Sequence, residues 1–142
     1  LSLQKSAKSP DTEADMGEHF FTYALLPHAG GLGEETFTQG ILLNQPALCI
    51  AGAVKEQVGR FIKKNSDAVK IDAVKQAEDG DGFVVHMHEI TGGRASVEIT
   101  SDYPVRAYAA CNLLEEYDGK TEGNTIHADF GPFEIKCFRI WM

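Results

Sequence analysis

Residues 74–93, VKQAEDGDGFVVHMHEITGG, contain the plainest strand and turn signals in the chain. From Phe83 onward the side chains alternate, with Phe83, Val85 and Met87 on one side and both histidines on the other. That alternation is the period of a β-strand. The Asp-Gly-Asp-Gly run before the strand and the Thr-Gly-Gly run after it favour tight turns. The stretch therefore predicts a hairpin that continues into a β-meander.

The same pattern recurs along the second half of the chain. Strands are predicted at residues 68–77, 83–90, 94–100, 105–114, 125–130 and 132–140. In residues 94–100, Ala95, Val97 and Ile99 face one way, which predicts one core face and one wet face. The alternation is repeated by Ala107, Ala109 and Cys111, by Ile126, Ala128 and Phe130, and by Phe133, Ile135 and Cys137. Short strands separated by turns predict an antiparallel β-sandwich.

The first half of the chain is less regular. Residues 19–28 are apolar on both faces and predict a strand that needs cover on two sides, and residues 48–54 predict a second short strand. Residues 34–43 predict the one short helix, because two glutamates begin it and Pro46 follows it. The fold class is therefore mainly β. We divide the chain into residues 1–62 and residues 65–142, because the composition turns acidic and the strand pattern becomes regular near this boundary.

Composition excludes several classes of protein. The 142 residues are 43% hydrophobic and 24% charged, which is typical of a globular domain, and the net charge is −8. Such an acidic chain disfavours nucleic acid and anionic membranes as partners. No apolar run could cross a bilayer, and the chain starts at Leu1 without a signal-peptide pattern. Three cysteines in apolar settings predict buried free thiols in a reducing compartment, the cytoplasm.

His86 and His88 are the candidate metal ligands. They lie two apart on one strand and therefore share a face, where Glu89, His127 or Asp129 could supply a third donor. Glu89, however, points to the opposite face of that strand. We favour a polar surface or an interdomain contact for the two histidines, and a stand-alone metallohydrolase built on them is the less favoured reading. No spacing identifies a catalytic nucleophile or an acid/base pair.

Two other motifs have structural explanations. Asp79 and Asp81 resemble part of a calcium loop, but a hairpin turn explains the same residues. The glycines at 30, 31 and 33 precede the helix without the spacing of a phosphate loop, so we expect no nucleotide cofactor. Four aromatic residues could form a platform for sugar stacking: Tyr103, Tyr108, Tyr117 and Trp141. An independent carbohydrate-binding module is therefore the alternative function.

The N-terminal segment resembles the α-mannosidases of glycoside hydrolase family 38. It carries Pro-Asp at residues 10–11, Ala-Asp-x-Gly-x-His at residues 14–19 and Phe-Thr-Tyr-Ala-Leu-x-Pro-His at residues 21–28. The second half is similar to the same family through Asn-Leu-Leu-Glu at residues 112–115 and PFEIKCFR at residues 132–139. The resemblance covers nearly the whole chain and is closest to the α-mannosidase C and vacuolar type group with its bacterial relatives.

The resemblance implies a role in a larger enzyme, in which residues 1–62 are the end of a large β-sandwich and residues 65–142 are a small terminal β-sandwich. Family members are zinc-dependent retaining enzymes that hydrolyse terminal α-D-mannosides. Their catalytic carboxylates and zinc ligands lie in N-terminal catalytic and helical domains that precede the matched region. We therefore expect no catalytic, cofactor or metal residue in this chain, and expect those domains and their mannoside substrate as its partners. The family usually has arginine at the position of His86 and threonine at the position of Cys137.

Overall fold

The computed structural model describes residues 4–52 and 59–142, which fall into two units, Leu1–Gly31 and Leu32–Met142. In the first unit, the Glu13 N–H donates to Asp11 Oδ1 at 2.9 Å and the Met16 N–H to the Glu13 carbonyl at 3.2 Å. The strand predicted at residues 19–28 is wrong, because this segment has no regular secondary structure. Apolar side chains favour a strand only where a neighbouring strand completes its hydrogen bonds. Within the described part of the chain, nothing pairs with this segment.

The second unit is an antiparallel β-sandwich with one helix. Its described elements are α1 Glu34–Asn44, β1 Lys63–Lys64, β2 Val69–Gln76, β3 Phe83–Glu89, β4 Ala95–Thr100, β5 Ala107–Cys111, β6 Thr121–Glu122, β7 Ile126–Phe130 and β8 Ile135–Trp141. One sheet has the strand order β1-β4-β7 and the other β2-β3-β8-β5-β6. The mainly β fold, the helix and all six strands predicted from residue 68 onward are confirmed. The two-residue strands β1 and β6 were not predicted.

The core lies between the two sheets. Its buried residues are Val69, Val85, Met87, Val97, Ile99, Ile126, Phe130, Phe138 and Ile140. The inward phase predicted for β3, β4 and β7 is confirmed by Val85, Val97 and Phe130. In β5 and β8 the alternation is opposite to the prediction. Tyr108, Phe138 and Ile140 face the core, while Cys137 pairs across the sheet with Cys111 on the other face. We call that other side of the five-stranded sheet the outer face.

The outer face is itself partly covered, which explains why the wrong set of alternating side chains was predicted to face the core. It carries the buried residues Val84, Ala109, Cys137, Arg139 and Trp141. The β2–β3 turn contacts Arg139 and Trp141, and the loop after β5 contacts Trp141 through Tyr117. A sheet that is covered on both faces loses the simple contrast between apolar and polar positions.

The helix begins after Gly33 with two acidic residues in its first turn and buries no side chain, as expected for a surface helix. Lys70 of β2 holds it, because its ammonium donates to Thr38 Oγ1 at 3.0 Å and lies 3.5 Å from Glu34 Oε1. Of the strand predicted at residues 48–54, residues 48–52 have no regular structure, and residues 53–54 lie outside the described residues.

The sandwich includes residues on the N-terminal side of the boundary predicted at 62–65. The rings of Phe61 and Phe83 pack edge to face with centroids 4.8 Å apart, and Ile62 packs against the core. The Arg60 N–H donates to Asp102 Oδ2 at 2.8 Å. The assignment of residues 1–62 to the end of a larger sandwich stays a prediction.

Candidate functional site

The outer face brings His86 and His88 onto one side of β3, as the spacing predicts, but gives them different partners. His88 Nδ1 lies 2.7 Å from Asp72 Oδ2, and His86 Nδ1 lies 3.1 Å from Cys137 Sγ. The other proposed donors lie elsewhere: Glu89 is bonded to the next turn, and His127 and Asp129 lie on β7 of the other sheet. Across residues 4–52 and 59–142, no group of three or more His, Cys, Asp or Glu side chains could hold a metal. The described residues therefore do not fit a zinc ion.

His86 and Cys137, where the resemblance predicts arginine and threonine instead, are in contact in the structure. Their strands are paired so that the two residues lie directly opposite each other. Burial raises the pKa of the Cys137 thiol and also that of Cys111. Both groups are therefore poor nucleophiles at neutral pH. The predicted burial is confirmed for Cys137 and wrong for Cys49, which is exposed.

A second cluster on the outer face surrounds the guanidinium of Arg139, which is 3% exposed as a residue. Arg139 donates to Asp79 Oδ1 at 2.5 Å and, through Nε, to the Asp81 carbonyl at 3.0 Å. The hydrogen bond from Arg139 holds the pKa of Asp79 below its usual range. The Trp141 indole N–H donates to Asp81 Oδ2 at 2.9 Å. The cluster therefore fastens the β2–β3 turn to β8, which confirms the hairpin explanation of the two aspartates.

The four candidate aromatic residues do not form one platform. Trp141 is only 6% exposed, because the Tyr117 ring packs edge to face against it and Lys120 Nζ lies 3.8 Å from its ring centre. Tyr103 packs near Phe61 with ring centroids 6.2 Å apart, and Tyr108 packs against the core.

A groove of about 980 Å³ beside β5 is lined in part by Tyr108, Tyr117, Asp118 and His127. Aromatic, hydroxyl and carboxylate groups of this kind suit a polar ligand. Carbohydrate binding stays a prediction, and this groove is where it would be tested.

The turn after β5 carries a buried carboxylate that the sequence did not single out. Glu115 Oε1 lies 2.7 Å from Lys75 Nζ, and Oε2 accepts the Glu78 N–H at 2.8 Å. The contact with the Lys75 ammonium is the main cause that lowers the pKa of Glu115. Asn112 organises the same turn, because its Oδ1 accepts the N–H groups of Leu114 at 2.9 Å and Glu116 at 3.0 Å. The turn is therefore stabilised by hydrogen bonds within it and by the contact of Glu115 with Lys75 of β2.

Glu89 is fully buried, which was not predicted, although the alternation of β3 places it on the same side as Val85 and Met87. Its carboxylate accepts the N–H groups of Thr91 at 2.7 Å, Gly92 at 2.8 Å and Phe133 at 3.0 Å, and also the Thr91 hydroxyl. Burial opposes ionisation, but these donors outweigh it and lower the pKa of Glu89 to about 2. The carboxylate fastens the turn after β3 to the turn before β8. Thr91 and Gly92, two and three residues after a strand-end glutamate, are the signal that could have predicted such a cap.

In residues 4–52 and 59–142, the helix is too short and too polar to cross a bilayer.

Comparison with known proteins identifies the family. Residues 68–138, half of the chain, match the glycosyl hydrolases family 38 C-terminal beta sandwich domain. The chain is 36% identical over 151 residues to α-mannosidase G of Dictyostelium discoideum, 32% over 146 residues to α-mannosidase 2C1 of Mus musculus and 27% over 170 residues to an α-mannosidase of Saccharomyces cerevisiae. These alignments cover 98%, 96% and 99% of the chain, but only 14%, 14% and 15% of the relatives. No solved structure matches the chain significantly. The chain belongs to glycoside hydrolase family 38 and contains the C-terminal β-sandwich domain of that family.

Proposed function

We propose that this chain is a non-catalytic C-terminal part of an α-mannosidase that hydrolyses terminal α-D-mannosides. Support comes from relatives that carry the name α-mannosidase, match almost the full chain and are about seven times longer. In this proposal the zinc ion and the catalytic carboxylates of a retaining mechanism belong to the longer enzyme, outside this chain. The sandwich acts as a scaffold that stabilises the domains packed against it.

The observation that carries the proposal is the exposed apolar segment at residues 20–26. Phe20 is 92% exposed and Leu25 is 88% exposed, and Phe21 and Tyr23 are also exposed. Burying one such side chain stabilises a protein by about 1.5–3 kcal/mol relative to leaving it in water. Soluble chains rarely expose several large apolar residues together unless another surface covers them. In the longer enzyme, that cover comes from the domains that precede this segment.

The buried charged groups support the same conclusion. Glu89, Glu115 and Arg139 are each hydrogen-bonded or ion-paired to turns of the sandwich. A catalytic acid or base needs access to substrate and a pKa near the working pH. The pKa of Glu89 is instead lowered to about 2, and the pKa of Glu115 is also lowered. These groups therefore serve the stability of the fold.

The proposal predicts that polar substitutions in the segment affect stability more than chemistry. In the longer enzyme, the double variant Phe20→Ser and Leu25→Ser lowers the midpoint of thermal inactivation by about 5 °C, because two buried contacts are lost. The kcat/KM of the folded enzyme for an aryl α-mannoside stays within about twofold of wild type. The matched control, Glu18→Ser, changes neither quantity.

The same double variant in this chain alone leaves the unfolding midpoint unchanged, because both side chains are already exposed. An unaltered inactivation midpoint in the longer enzyme would contradict the scaffold role. So would a large loss of kcat/KM without a loss of stability.

A further inference from the structure

The turn at residues 112–116, here called the leucine turn, is fixed by hydrogen bonds and exposes two leucine side chains to solvent. The Asn112 N–H donates to the Glu116 carbonyl at 3.0 Å, and the Asn112 carbonyl accepts the Glu115 N–H at 3.0 Å. The Asn112 side chain adds three more hydrogen bonds to Leu114 and Glu116. These five hydrogen bonds hold the backbone of the turn in one conformation.

Glu115 fixes the turn in an unfavourable backbone conformation. Its φ is +65°, a region that residues other than glycine enter at a cost of about 1 kcal/mol or more. The ion pair with Lys75 and the hydrogen bond from the Glu78 N–H hold the residue there. Strain of this kind persists where the surrounding contacts maintain it, and it clusters at sites that bind something.

The consequence of this geometry is an apolar surface. Leu113 is 68% exposed and Leu114 is 79% exposed, and Ile135 of β8 is also exposed. These three residues, with Cys111 and Cys137, line most of a groove of about 420 Å³. The leucine turn and this groove together form an apolar docking surface at one end of the outer face.

We propose that the leucine turn and its groove dock an apolar segment from the remainder of the same α-mannosidase chain. This inference rests on the proposed function. The chain spans 14 to 15% of the length of its relatives, so most of such an enzyme lies outside it. A tethered partner docks without the full loss of freedom that separate molecules suffer. Two leucines and one isoleucine expose much less than the roughly 800 Å² per partner that a stable contact between separate molecules buries.

Cysteine labelling tests the docking directly. In a Cys49→Ser background, Leu114→Cys is labelled with a maleimide in this chain alone and in the longer enzyme. The labelling measured for the background protein without Leu114→Cys is subtracted in each case. The labelling rate falls by about tenfold or more in the longer enzyme, because reaction then needs local opening of the contact. The control, Asp67→Cys, replaces an exposed residue in the turn before β2, and its rate changes by less than about twofold. Leu113→Cys repeats the test if Leu114→Cys fails to fold.

Equal labelling rates for Leu114→Cys in the two proteins would overturn the inference. Protection that rises with the concentration of this chain alone would also overturn it, because the occupant would then be a second copy. The proposed function fails separately, by the absence of α-mannoside hydrolysis in the longer enzyme, and the labelling rates are measured without reference to that activity.

Discussion

At the scale of single residues, Glu89 shows how this sandwich stabilises a buried charge. The carboxylate lies at the end of β3 and is completely buried, yet it accepts backbone N–H groups from the turn after β3 and from Phe133 before β8. Protonation of the side chain would turn one of its two acceptor oxygens into a hydroxyl donor and so weaken the hydrogen bonds to that oxygen. The carboxylate thus links two turns that are far apart in the sequence.

The pKa of Glu89 determines the sign of its pH dependence. It falls from an ordinary value of 4.5 to about 2 in the folded chain. A lowered pKa stabilises the fold above the unfolded pKa of 4.5, and this stability is lost as the pH falls towards 2. Asp79, Asp102, Glu115 and Glu134 also have lowered pKa values, so acid unfolding has several sources. Only a comparison of variants isolates the contribution of Glu89 to acid unfolding.

We predict that Glu89→Gln lowers the Tm at pH 7 by roughly 10 °C, because the amide NH₂ group replaces one oxygen and cannot accept the hydrogen bonds made to it. Urea midpoints measured from pH 7 to pH 2 should converge for the two proteins as the pH falls below 4.5. Glu122→Gln, which changes an exposed carboxylate on β6, serves as the control and should follow wild type throughout. A constant difference between Glu89→Gln and wild type across this range would show that ionised Glu89 is not the stabilising group.

At the scale of secondary-structure elements, the β2–β3 hairpin depends on Gly82. Its φ is +95°, and a Cβ at this position would lie 2.6 Å from the carbonyl oxygen of Ile140 in β8. Gly82 accepts the N–H of Ala77 at 3.0 Å, which closes the turn. The same turn presents Asp79 and Asp81 to Arg139.

Gly82→Ala should therefore destabilise the chain by about 3 kcal/mol, through backbone strain together with a clash against β8. Gly119→Ala is the matched control, because its φ is +76° but nothing lies within 4 Å of the added Cβ. Gly119→Ala should lower the free energy of unfolding by only about 1 kcal/mol, from backbone strain alone. Urea unfolding of the two variants measures the difference. Equal losses would mean that the contact with Ile140 is unimportant.

Secondary structure was predictable where local pattern and tertiary contacts agree. The alternation in residues 83–90 predicted β3, and the glutamates and proline around residues 34–46 predicted α1. Residues 19–28 show the limit of this reasoning, because an apolar pattern cannot reveal whether a partner strand is present. The strands β1 and β6 have two residues each, too few for any periodicity.

The site was less predictable, because its important residues act through distant partners. The shared face of His86 and His88 follows from strand geometry, but their contacts with Cys137 and Asp72 depend on strand pairing and on a bulge in β2. Arg139 is a charged residue in a strand, and nothing local indicates that it is buried against the β2–β3 turn. Glu115 is anchored to β2, nearly forty positions earlier in the chain.

At the scale of the whole molecule, the chain combines a well-packed sandwich with apolar surfaces that its described residues leave exposed. The core is buried between two sheets, whereas residues 20–26 and the leucine turn are in water. The relatives that this chain matches are about seven times longer. The central claim is that hydrolysis of α-mannosides is a property of the longer enzyme, to which this chain contributes stability.

The most direct test is the steady-state hydrolysis of an aryl α-mannoside by this chain alone and by the longer enzyme, at equal molar concentrations. The account predicts turnover by the longer enzyme and none above the buffer rate by this chain. Turnover by this chain alone, or a longer enzyme that folds but leaves the α-mannoside intact, would contradict it.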